Sequence, residues 1–284
     1  MLAKFISALP GAVSQGLIWG IMAIGVYITY KILDLADLTV DGSICTGAVT
    51  FVVLFSGGTN IWLALLAAFL VGVAAGLVTG ILHTACGIPA ILAGILTQLG
   101  LWSVNLAIMG MKANVSINVI DNEVLNKLLV SLRFVQDVAK GNRPIWQHPI
   151  VVVGLASAAL MAVLYWFFGT ELGRALRATG SNQNMARAQG INTAYATVLG
   201  LMLSNGVVAL SGAFLAQYQS FADINMGRGA IVIGLAAVII GEVLFGRICP
   251  LRIYRLFLST TAHRIKAEKS VKSSKTDIPT MLST

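Results

Sequence analysis

The sequence predicts an all-α polytopic membrane protein of about seven transmembrane helices, and three observations predict it. Hydrophobic residues make up 57% of the 284 and charged residues only 11%, whereas a soluble domain carries about 25% charged residues. The mean hydropathy is +0.85. A single core stops growing near ~250–300 residues, so much of this apolar surface must take lipid as its solvent. Finally, the uncharged runs are long enough for helices of ~20 residues to cross a bilayer. They are continuously apolar, without the period-two alternation of a barrel strand.

The spans follow in order. Between Lys4 and Lys31 lie 26 uncharged residues, enough for one span. The apolar stretch runs on to Tyr30, longer than the core of a signal peptide, so it reads as a retained helix. Between Asp41 and Lys112 lie 70 uncharged residues, enough for three spans, with breaks at Ser56-Gly57-Gly58-Thr59-Asn60 and Cys86-Gly87-Ile88-Pro89. Clusters of Gly and Pro mark such turns. The 27 residues between Arg143 and Glu171 and the 35 between Arg187 and Asp223 give one span each. Gly229 to Gly246 is the last. If all seven cross fully, the N-terminus lies outside and the C-terminal tail inside. The basic tail and residues 171–194 fit a cytoplasmic side, whereas the acidic 31–41 and the net basic 110–148 count against it.

Residues 1–246 therefore form one membrane-embedded domain. Within it, 110–148 reads as an extracytoplasmic amphipathic segment, because Val124, Leu125, Leu128, Leu129, Leu132 and Val135 recur at helical spacing. It either lies on the membrane interface or packs over the end of the bundle. Residues 247–284 form a basic, atypical tail with eight basic and two acidic residues. Arg252 and Arg255 interrupt its apolar stretch, so no span is expected there, and the rest is too polar to repay ordering. A basic tail after a membrane span points to anionic lipid or the cytoplasmic side, not to nucleic acid. Cys45, Cys86 and Cys249 form no Cys-x-x-Cys pair and the three histidines are scattered, so no metal site or cofactor is expected.

Several motifs carry more. Gly72, Gly76 and Gly80, like Gly16 and Gly20, stand four apart and form a smooth stripe for close helix packing. The run from Asp34 through Asp37, Thr39 and Asp41 to Ser43 places three carboxylates beside an apolar run. That is either a solvated loop or a broken helix start lining a polar pathway. Gln98 and Asn105 share one helix face, and Asn205 on another helix is placed to oppose them, for interhelical hydrogen bonding or for a pathway. Glu242 is an ionisable group inside an apolar run. Residues 171–194 are too polar to span, rich in helix formers and small residues, and closed by Gly190. They read as a surface loop or as a short amphipathic helix that docks in a groove on a soluble partner.

That last segment, with the helix after it (GRALRATGSNQNMARAQGINTAYATVLGLMLSNGVVALSGAFLAQ), resembles the coupling region of permeases in the branched-chain amino-acid importer family. DLTVDGS resembles an element that follows the first helix in related sugar permeases, and QSFADINMGRGAIVIGLAAVIIGEVLFG resembles a subset tied to tryptophan and tyrosine import. The resemblance covers 10–246. It implies the large (type II-like) ABC-importer permease fold, a plasma-membrane location, a permease homodimer, a cytoplasmic ATPase subunit and an external substrate-binding protein. It places ATPase coupling on Arg174, Arg177, Asn184, Ala186, Arg187, Ala188, Gly190 and Ile191. It implies no catalytic residues, and the chain indeed has no G-x-x-x-x-G-K-[ST] loop to hold nucleotide. The candidate pathway set is Asp37, Thr39, Asp41, Ser43, Gln98, Asn105, Asn205 and Glu242. After Gly246 the sequence departs from the family, as a C-terminally truncated permease would. The alternatives are a permease for another small solute, such as a sugar or nucleoside, and a stand-alone channel or secondary carrier.

Overall fold

The computed structural model describes residues 2–117, 128–131, 134 and 148–248, with side chains described from 8 to 244 within those ranges. It divides into two compact units, Met1–Val238 and Ile239–Thr284. Helix α1 is Leu2–Tyr27 and passes into a π-helical turn at Ile28–Ile32. There follow α2 (Thr39–Ser56), α3 (Ile61–Thr84), α4 (Ala90–Ile108) and the short strand β1 (Asn114–Ser116). From residue 148 onward come α5 (Pro149–Gly169), α6 (Glu171–Ser181), α7 (Gln183–Ala188), α8 (Thr193–Gln219), β2 (Phe221–Asp223) and α9 (Ala230–Ile248).

Six helices among the described residues are long and apolar enough to span a membrane: Ala8–Ile32 and α2, α3, α4, α5 and α8. The expected seventh is shorter, an apolar stretch of Ala230–Leu244. The turns at 57–60 and 85–89 fall where the Gly and Pro clusters put them.

Helices α2 and α8 form the centre. Their most apolar windows are 72% buried, against 11% for α5. The outer helices present Trp62, Leu63, Leu66, Leu155 and Trp166 outward, a surface suited to lipid and costly in water. Inside, Phe51 stacks on Phe55, their ring centroids 5.6 Å apart, and the main core gathers Ile18, Val49, Val52, Phe214 and Leu215.

The glycine stripe on α3 decides how the centre closes. A Cβ added at Gly72 would strike the Asn205 carbonyl and the Ala209 side chain, and one at Gly76 would strike the Leu201 carbonyl. At Gly80 it would lie 3.0 Å from Val198 Cα. The stripe is thus the seat of α8 within one chain. Gly16 and Gly20 differ: a Cβ there would meet nothing within 4 Å.

Strands β1 and β2 pair antiparallel, Asn114 with Asp223 and Ser116 with Phe221. The pairing puts the ends of α4 and α8 on one side of the bundle. At the other end of α8, Gly180 of α6 presses on the Ile32 carbonyl, and Leu176 reaches Gly200. Of the segment expected to be amphipathic, most residues lie outside the described set. Residues 128–131 are not helical, and Leu128, Val130 and Phe134 are buried in the main core. These residues pack into the bundle instead of lying on an interface. The tail beyond 248 lies outside the described residues.

Candidate functional site

The sequence-derived pathway residues separate into two groups and one outlier. The first group is a buried hydrogen-bond network. Asp37 sits in the non-helical stretch between the π-turn and α2 and is 3% exposed. One of its carboxylate oxygens accepts from the Thr39 N–H at 2.9 Å and the other from Asn205 Nδ2 at 2.7 Å. Asn205 Nδ2 also donates to the Leu201 carbonyl at 3.0 Å, and Ser43 Oγ donates to Asn205 Oδ1 at 2.6 Å. These partners fix the orientation of the amide, because each of its groups is used. Nearby, Thr39 Oγ1 lies 2.8 Å from Thr79 Oγ1, which donates to Thr97 Oγ1 at 3.0 Å. The network therefore ties α2, α3, α4 and α8 together.

Asn205 is roughly midway along α8, so Asp37 sits at that depth in the bundle. The solvated-loop reading of this run holds only for Asp34, which is exposed and has φ +59°. Irregular backbone at such a depth is tolerated where protein buries it or a cavity adjoins it.

The second group lines a cleft of about 260 Å³. Asp41, Gly42 and Cys45 come from α2, and Gln98, Leu99, Trp102 and Asn105 from α4. Ile224 and Arg228 come from the link between β2 and α9. Gln98 and Asn105, seven residues apart on one face of α4, both line this cleft. Asn205 does not oppose them, since its amide is committed to Asp37 and Ser43. Asp41 caps the start of α9: its carboxylate accepts from the Gly229 N–H at 3.0 Å and the Ile231 N–H at 2.9 Å. A carboxylate at a helix N-terminus satisfies orphan donors and matches the dipole. Arg228 and Trp102 are cleft residues that sequence reasoning missed. Arg228 stands in a turn of small and polar residues that carries no periodicity, and Trp102 looks like any lipid-facing aromatic.

Asn105 is fully buried, and neither its Oδ1 nor its Nδ2 has a hydrogen-bond partner. The Cys45 thiol lies beside it. That thiol has one proton and approaches the carbonyls of Asp223 and Ile224 at 3.6 and 3.4 Å, and no contact between the thiol and the amide meets hydrogen-bond geometry. Glu242 belongs to neither group. It lies on the part of α9 in the second unit.

Residues 171–192 fold as two short helices. Thr170 caps α6, accepting from the Gly173 N–H at 3.4 Å, and Glu171 stands in its first turn. Asn182 caps α7 and Asn192 caps α8, each accepting from the N–H three residues on at 3.1 Å. Gly190 closes α7 with φ +81°. Its N–H donates to the Arg187 carbonyl and that of Ile191 to the Ala186 carbonyl, both at 3.0 Å. This is the pairing of a Schellman motif, in which Gly takes a left-handed conformation at little cost.

The side chains of this segment divide cleanly. Arg177 donates to the Phe168 carbonyl at 2.7 Å, and Arg187 Nε donates to Thr193 Oγ1 at 2.9 Å. Ala186 is 1% exposed and seats α7 on the bundle. Its side chain is therefore not available to a partner, contrary to the expected coupling set. Arg174, Asn184, Met185, Arg187, Ala188 and Gly190 are exposed, and Ile191 is half-buried.

Comparison with known proteins gives a consistent picture. The family model for the branched-chain amino acid transport system / permease component matches residues 9–262. That match runs past Gly246, where the family pattern was expected to end. A tyrosine transport system permease protein of Clostridioides difficile is 40% identical over 242 residues, covering 84% of this chain and 74% of the relative. An uncharacterized protein of Rickettsia prowazekii is 35% identical over 234 residues, covering 82% and 76%. An autoinducer 2 import system permease protein of Salmonella typhimurium is 24% identical over 208 residues, covering 73% of this chain and 55% of the relative. No solved structure matches the chain.

Proposed function

Since this chain belongs to the branched-chain amino-acid permease family, as a multi-pass transmembrane subunit of an ABC-type importer, we propose that it carries an aromatic amino acid, tyrosine foremost. The relative named for tyrosine transport supports that cargo. The single observation that carries the mechanism is the capped α6–α7 pair at the end of α8, with a polar outward face. In this reading Asn184, Met185, Arg187 and Ala188 dock in a groove of a separate cytoplasmic ATPase, which supplies the hydrolysis.

The fixed seats of Gly180 on Ile32 and of Leu176 beside Gly200 make the pair a lever on α1 and α8. Closure of two ATPase subunits then tilts those helices and exchanges access between the two membrane faces. An external binding protein delivers the solute, and two copies of the permease flank the pathway.

The test is reconstitution of the full chain with its ATPase and binding protein in proteoliposomes. Tyrosine uptake that requires ATP supports the reading. Uptake without the ATPase would establish a channel or secondary carrier instead, and uptake of a sugar but no amino acid would reject the cargo.

Gly190→Leu isolates the coupling role. A leucine in the left-handed conformation costs about 1–2 kcal/mol, too little to unfold the chain, and the site is open, with nothing within 4 Å of an added Cβ. The variant should insert normally and bind the ATPase, yet lose most ATP-driven uptake. Uptake per ATP equal to wild type would remove the coupling assignment.

A further inference from the structure

We propose that the cleft walled by Asp41, Gln98, Trp102, Asn105 and Arg228 is a recognition site for one free amino acid in its zwitterionic form, within the permease itself. The proposal rests on the amino-acid importer reading above and adds where and how the permease holds its cargo. At about 260 Å³ the cleft falls just under the ~300–1,000 Å³ typical of drug-sized ligands, which suits a single metabolite.

Its chemistry is divided. A carboxylate, Asp41, and a guanidinium, Arg228, both face the cleft. The Arg228 guanidinium has no hydrogen bond or ion pair among the described residues. Both Asp41 oxygens keep a lone pair after accepting from α9. Two opposite charges on one cleft that do not neutralise each other match a ligand carrying an ammonium and a carboxylate. The ammonium goes to Asp41. The carboxylate goes to Arg228, whose planar fork suits it.

The second observation is independent. Asn105 is fully buried on the cleft with both amide atoms unpaired. Burying a polar group without a partner costs ~1–3 kcal/mol, and a ligand that supplies one donor and one acceptor relieves that cost. The remaining wall, with Trp102, Leu99 and Ile224, is apolar and takes a flat or branched side chain, since an indole stacks well on another ring.

The experiment measures tritiated L-tyrosine binding to the full permease–ATPase complex in nanodiscs, without the binding protein. Three competitors probe the site. Tyramine lacks the carboxylate for Arg228, 3-(4-hydroxyphenyl)propionate lacks the ammonium for Asp41, and D-ribose lacks both. Unlabelled tyrosine should compete at least about tenfold better than tyramine or the propionate, because each loses a charged hydrogen bond, and ribose should not compete. Arg228→Gln should erase the preference for tyrosine over tyramine, and Arg228→Lys should keep part of it. Arg228 is exposed, so neither variant threatens folding. Asn105→Leu should weaken tyrosine and tyramine alike.

No saturable tyrosine binding, equal competition by ribose, or an unchanged preference in Arg228→Gln overturns the proposal. The proteoliposome assay separates the two levels. ATP-driven tyrosine uptake together with an unchanged preference in Arg228→Gln rejects only this site. Uptake of a sugar and of no amino acid rejects the importer reading and the site with it.

Discussion

Replacing Gly76 with leucine should leave a chain that inserts in the membrane but does not close its bundle. A Cβ at this position strikes the Leu201 carbonyl, with Leu201 C and Met202 Cα at 2.7 and 2.8 Å. All three are backbone atoms of α8, and backbone cannot rotate aside as the tip of a side chain can. The helices must separate, and the separation strips contacts from both. Overpacking alone costs ~1–3 kcal/mol. Here the loss adds parting of Asn205 from the α3 side and belongs among the exceptional changes above ~4 kcal/mol. The measurement is monodispersity and thermal stability in mild detergent, with Gly16→Leu and Gly20→Leu as controls. Those sites have nothing within 4 Å of an added Cβ and should behave as wild type. A Gly76→Leu protein as stable as the controls would contradict the packing described for α3 and α8.

Asn205→Leu should be nearly as damaging, for an electrostatic reason. The change removes the amide that donates to Asp37 at 2.7 Å and accepts from Ser43 at 2.6 Å. Both partners stay buried. A hydrogen bond to a charged group is worth about 1.5–3 kcal/mol, and stranding its partner costs more than the bond itself. A loss of about 3 kcal/mol is expected, read as a fall in unfolding free energy in denaturing detergent.

Asp37→Asn in the Asn205→Leu background should recover much of the loss, because it removes the carboxylate that has lost its partner. A double variant as unstable as Asn205→Leu alone would mean that Asp37 is not the group left stranded.

Sequence and structure divide the account of this chain along a physical line. Composition and the lengths of uncharged runs determined that it is a helical membrane protein, and they located the helices, because a bilayer imposes a length and a polarity on whatever crosses it. Local chemistry was equally legible. Gly190 closes a helix with φ +81°, and the Gly72, Gly76 and Gly80 stripe receives another helix. Capping and small-residue stripes depend on neighbours within a few residues, and the sequence lists those directly.

What only the tertiary structure decided is which polar groups meet. Asn205 was equally placed by sequence to face Gln98 and Asn105 or something else, and it faces Asp37 and Ser43. Three aspartates in one run took three fates: Asp34 on the exposed surface, Asp37 buried under Asn205, and Asp41 capping a helix far away in sequence. Arg228 and Trp102 joined Asp41 on one cleft from distant segments. Helix periodicity fixes the face on which a residue lies but not the helix that the face will meet. That choice is made by packing of whole surfaces, here by the contact of α3 on α8, and it carries every buried polar group with it.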